Sequence, residues 1–166
     1  MYMSLENTKK NIIDKPEIIY PNYKYCVWLL PENSFWYHIN RAVTPHMTIK
    51  KNLMLSDAIN LHSSIQNEMN HTTVNVTVDD NFLITNDDEF TSLEYKLYYS
   101  ENNVKSKPEW WPDTASMPVL YKYKDGVNES EKEYMNKYVT KNNARFGTPC
   151  IILCKGHHRE WKFIKI

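Results

Sequence analysis

Two hydrophobic periods alternate along this chain, and their order limits what it can fold into. Val74, Val76 and Val78 recur at every second residue between polar neighbours, as do Leu93, Tyr95, Leu97 and Tyr99. That is the period of a half-buried strand. Between such runs, Ala58, Leu61, Ile65 and Met69 form a helical stripe, with Ser56 as a candidate N-cap and Asn70 as a stop. Tyr23 to Leu30, rich in Tyr, Val and Trp, predicts a strand ending at Pro31, and Phe35, Ile39 and Val43 predict a short helix over 33–43. Pro45 opens a strand from His46 to Lys50. Asp79-Asp80-Asn81 predicts a turn before a strand from Phe82 to Thr85, and 101–117 reads as a polar loop.

Farther on, Val119 to Lys124 predicts a strand, and Asp125-Gly126 a turn. Asn128 and Glu131 form a capping box for a helix carrying Tyr134, Met135, Tyr138 and Val139. Cys150 to Cys154 reads as a strand, Gly156 as the turn of a terminal hairpin, and Trp161 to Ile166 as its second arm. Helices interleaved with strands in this order predict an α+β fold with an antiparallel or mixed sheet. The expected organisation is one domain over 22–166 behind a flexible lead, 1–21.

The chain of 166 residues is 42% hydrophobic and 13% aromatic, enough for a packed core and unlike a disordered segment. Lys+Arg and Asp+Glu both number 20, so no global charge draws the protein to duplex DNA or an anionic membrane. A small anionic ligand needs only a local cluster. No run is long enough to span a bilayer, and the first residues lack the apolar core of a signal peptide. With three cysteines, an odd number, this predicts reduced thiols and a cytoplasmic protein. The sequons at Asn70, Asn75 and Asn128 then follow from an Asn-rich composition. Abundant Lys, Asn, Ile and Tyr with only 3 Gly hint at an AT-rich genome such as that of a large DNA virus.

The chemistry concentrates at Thr44-Pro45-His46-Met47-Thr48-Ile49. Residues i and i+2 of a strand share a face, so His46 and Thr48 present an imidazole beside a hydroxyl. This segment is similar to the His-x-Thr signature of the two-histidine (LigT-like) phosphoesterases. Tyr25-Cys26-Val27-Trp28-Leu29-Leu30-Pro31 looks like that family's opening strand, and Met117-Pro118-Val119-Leu120-Tyr121-Lys122-Tyr123 resembles its second signature. The resemblance covers 22–166. It implies a bilobal fold with sheets around a central cleft, helices outside, and metal-independent phosphodiester chemistry without a cofactor. It also implies that Val119 stands where the family has its second histidine, and Tyr121 where it has the second hydroxyl. Valine neither donates nor accepts a proton. The expectation is therefore a degenerate member that binds a cyclic nucleotide, a 2′,5′-linked oligoadenylate or a cyclic dinucleotide. In a virus, such a protein would blunt a nucleotide-signalling defence by sequestration. Two other readings stay open: an active phosphodiesterase with a substitute acid/base (His38, His157 or His158), and a protein-interaction domain with a vestigial cleft.

Around this pair, Trp28, Trp110 and Trp111 are candidate base-stacking residues, and Tyr121 and Tyr123 are candidate phosphate partners. Trp36 and Tyr37 read as packing. Lys50, Lys122 and Lys124 read as solvated strand edges. Cys150, Cys154 and His157 do not match a zinc pattern, and both cysteines are expected to face the core. Asp79, Asp80, Asp87, Asp88 and Glu89 read as turn residues rather than a cation site.

Overall fold

The computed structural model describes residues 12–13, 23–38, 44–86, 90–123, 128–138, 143–155 and 161–164. Its strands are β1 (Ile12–Ile13), β2 (Tyr25–Pro31), β3 (Met47–Leu53), β4 (Val74–Asn86), β5 (Phe90–Tyr99), β6 (Ser116–Tyr123), β7 (Ala144–Leu153) and β8 (Lys162–Ile164). Two α-helices, α1 (Leu55–Met69) and α2 (Glu129–Tyr138), and a 3-10 turn at Ser34–His38 complete the described elements. The fold is α+β, with an antiparallel sheet curled into a half-barrel.

Strand β7 organises the sheet. Along one edge it pairs with β2, from Tyr25↔Leu153 to Pro31↔Phe146. Along the other it pairs with β4 at its start, through Val74↔Phe146, and with β8 at its end, through Leu153↔Lys162. β3 extends the sheet beyond β2, and β5 and β6 extend it beyond β4. The curl brings the outer strands β3 and β6 close to each other. Ile12 and Ile13, within the stretch read as a flexible lead, pair in parallel with β8.

The strand alternation read from the sequence sets the core. Tyr25, Val27 and Leu29 of β2, Met47 and Ile49 of β3, and Leu93, Tyr95 and Leu97 of β5 are all buried in one cluster. Ala58, Ile65 and Met69 bring α1 onto it, and Met135 brings α2. Asn70 ends α1 in the left-handed region, φ 47°, with its N–H donating to the Gln66 carbonyl. Asparagine tolerates that conformation better than most residues. The capping box forms as expected: Asn128 N–H donates to Glu131 Oε1 at 3.1 Å, and Glu131 N–H to Asn128 Oδ1 at 2.9 Å.

Three local expectations are corrected. Met54, not Ser56, occupies the N-cap of α1 and supplies no side-chain cap; Ser56 lies inside the helix. The 33–43 helix is instead a 3-10 turn at Ser34–His38, and 39–43 lie outside the described residues. Asp79-Asp80-Asn81 does not interrupt β4, because a register shift between Val78 and Phe82 absorbs the polar residues inside one long strand. A β-bulge does this by leaving extra residues unpaired. The turn at Gly156, with His157 and His158, and the acidic residues 87–89 lie outside the described residues.

Candidate functional site

The two faces of the β2–β3–β7 sheet differ in chemistry. One is the hydrocarbon core under α1. The other carries a second buried cluster of Cys26, Trp28 and Ile152, against which Leu30, Cys150, Cys154, Trp161 and Phe163 pack. Trp28 pairs with Thr48 on β3 and with Cys150 on β7. Because Met47 and Ile49 turn into the main core, Thr48 falls on the Trp28 side.

His46 immediately precedes β3. Its ring lies flat on Trp28, with centroids 3.5 Å apart and planes 7° from parallel, and is 5% exposed. His46 Nδ1 lies 2.7 Å from the Thr44 carbonyl. A carbonyl only accepts, so Nδ1 carries the proton in this bond, and the lone pair of the neutral ring is on Nε2. Phe163 meets Trp28 edge-on at 6.0 Å, and Trp161 lies tilted at 6.3 Å. The rings thus hold the imidazole in orientation, on the strand face that also carries the half-buried Thr48. An imidazole and a hydroxyl on one face are groups that can hold an anionic oxygen or take up a proton.

The second motif is built differently. Val119 sits at a register shift in β6, between Pro118↔Glu94 and Leu120↔Leu93, and its side chain is 2% exposed in the main core with Met117. β6 places the Tyr121 backbone opposite Ser92 and that of Tyr123 opposite Phe90; their side chains lie outside the described residues. Trp110 and Trp111 are not brought to His46. Trp111 is buried and packs edge-on against Tyr99 at 5.3 Å, while Trp110 Nε1 donates to Glu68 Oε2 of α1. Beside them is a cavity of about 340 Å³ lined by Glu68, Tyr99, Asn103, Lys105 and Trp110 among others, but by neither His46 nor Thr48. Its polar groups serve one another: Lys105 Nζ donates to the Glu68 carbonyl at 3.1 Å, and Asn103 Nδ2 to the Asn75 carbonyl at 2.7 Å.

Of the remaining candidates, Trp36 is buried in the core and Tyr37 donates its hydroxyl to the Pro31 carbonyl at 2.8 Å. Lys50 and His38 are exposed, His38 at the end of the 3-10 turn. Lys122 is in β6, its side chain outside the described residues, as is Lys124 altogether. Among the described residues, no group of three or more His, Cys, Asp and Glu side chains is placed to hold a metal ion.

Two features escaped sequence reasoning. His62 of α1 contacts the Pro149 carbonyl of β7 at 3.0 Å, and burial lowers its pKa. Cys26 and Cys154 lie with their sulfurs 3.3 Å apart. Period-two alternation places Cys26 beside Trp28, but only the β2–β7 register brings Cys154 to it. No protein-family model matches this chain, and neither does any curated protein.

Proposed function

We propose that this protein binds a nucleotide phosphodiester through His46 and Thr48, on a two-histidine-like bilobal fold, and holds it without rapid turnover. The ligand class is a 2′,3′-cyclic nucleotide, a short 2′,5′-linked oligoadenylate or a cyclic dinucleotide. The observation that carries this reading is the shared Trp28 face of His46 and Thr48, with the imidazole stacked on Trp28 and its Nδ1 bonded to the Thr44 carbonyl. Trp28 backs the imidazole and limits its rotation. The approach of β3 to β6 agrees with a cleft between the two motif strands. A single acid/base group accounts for binding better than for catalysis. Each such group contributes on the order of 10²–10⁴-fold to a proton-transfer reaction, and the buried valine at 119 supplies none. In a viral setting the protein would sequester a nucleotide signal rather than destroy it.

A thermal-shift screen of the full chain against these three nucleotide classes, followed by chromatography of any hit, tests the reading. Stabilisation with intact ligand, lost in Thr48→Val, is expected. Stabilisation with product that a chelator leaves unchanged and His46→Ala abolishes would instead make the protein a metal-independent phosphodiesterase. One observation favours a second reading, a protein-interaction domain with a vestigial cleft: the His46 ring is 5% exposed against Trp28. That reading predicts no thermal shift with any nucleotide.

A further inference from the structure

All three cysteines serve the face that carries Trp28. Cys26 on β2 pairs with Ile152 on β7, so Cys154, two residues farther on, is its diagonal neighbour. The Cys154 N–H donates to the Lys24 carbonyl at 3.0 Å, which continues the pairing beyond β7 and fixes the Cys154 backbone. The two sulfurs are 3.3 Å apart and not bonded to each other. A disulfide needs about 2.05 Å, so closing the bond takes a movement of roughly an ångström. Cys26 is 1% exposed, whereas Cys154 is only partly buried.

The electrostatics separate the three thiols. A thiol hydrogen bond stabilises one thiolate of the pair, and the hydrogen bond with Cys26 holds Cys154 below its ordinary value. The same bond, followed by burial, pushes Cys26 far up. Cys150 is pushed up to about 12 by burial alone. Cys154, the less buried of the pair, is the sulfur that a small oxidant reaches first.

We propose that Cys26 and Cys154 are a reversible redox pair that reacts with a peroxide, Cys154 attacking and Cys26 resolving. The Cys154 thiolate attacks one peroxide oxygen; the S–O bond forms, the O–O bond breaks, and hydroxide leaves to take up the proton Cys154 gave up. The Cys26 sulfur then attacks the sulfenic sulfur of Cys154. The S–S bond forms, the S–O bond breaks, and the leaving hydroxide departs as water with the Cys26 proton. Two thiols and one hydrogen peroxide give one disulfide and two waters, with two electrons passing from sulfur to oxygen. A dithiol reductant reverses the state.

The test treats the reduced full chain with stoichiometric hydrogen peroxide, blocks remaining thiols by alkylation, and maps the products by mass. A Cys26–Cys154 disulfide that dithiothreitol reverses is expected, with Cys150 alkylated. Cys154→Ser should slow peroxide-dependent thiol loss at least about tenfold. Cys26→Ser should leave a sulfenic acid at Cys154 that dimedone traps, and Cys150→Ser should react like the parent. Recovery of all three thiols unmodified would overturn the proposal, as would a disulfide through Cys150. The mapping needs no variant, so a serine variant that folds poorly does not blunt it.

Discussion

β3 and β6 lie close together at the ends of the curled sheet, yet they use their side chains in opposite ways. At the start of β3, Met47 and Ile49 enter the core, while Thr48 and the preceding His46 turn to the Trp28 face, beside a register shift against β2. In β6, Met117 and Val119, two residues apart on one face, both join the core, with a register shift against β5 at Val119. One strand turns its histidine and threonine away from the core; the other turns Val119 into it.

The largest expected effect concerns whether the two strands belong to one cooperative unit. Phe146 is fully buried where β7 meets both β2 and β4, paired with Pro31 and Val74. Phe146→Ala should destabilise by about 3–5 kcal/mol in denaturant unfolding, as buried aromatic truncations do. A single lowered transition is expected; two separated transitions would mean that the β3 and β6 sides fold independently.

Val119→His probes the contrast itself. With the side chain in hydrocarbon, the substitution should cost about 1–3 kcal/mol, as burial of an unpartnered polar group does, and should create no phosphodiesterase activity. A tolerated histidine that brings hydrolysis would show that position 119 opens to a cleft.

Thr48→Val is the converse change on β3. It should leave the melting temperature nearly unchanged, within about 0.5 kcal/mol, while removing nucleotide-induced stabilisation. A large loss of stability would assign the Thr48 hydroxyl to packing instead.

The smallest expected effect is a pH slope that marks the helix-covered side alone. Burial lowers the His62 pKa in the folded protein, so the unfolded chain takes the proton first. The stability that neutral His62 contributes is complete above about 6.5, the ordinary histidine value, and is lost as pH falls through the folded value. His62→Gln should flatten the fall of melting temperature on acidification; an unchanged slope would place the effect elsewhere.

Much of this fold is legible without coordinates, and the reasons are local. The period of Val74, Val76 and Val78 marks a strand whatever it pairs with, and Asn128 and Glu131 form a capping box from four consecutive positions. The same-face relation of His46 and Thr48 follows from strand geometry alone. Illegible were the features that depend on pairing. The acidic run at 79–81 reads as a turn because Asp and Asn favour turns, and only β5 beside it keeps β4 continuous. Trp110 and Trp111 read as ligand caps because their loop is polar, until α1 and Tyr99 are found beneath them.

The amino-acid sequence by itself determined most of the strands and both α-helices, which residues of each share a face, and that His46 and Thr48 lie on one. Only the tertiary structure decided that β7 joins the two ends of the sheet, that Trp28 holds the His46 ring, that Val119 enters the core, and that Cys154 reaches Cys26. The physical reason is range. Periodicity and capping are settled within a few residues by backbone geometry, whereas register between segments more than a hundred residues apart is settled by how all the strands bury their apolar faces together.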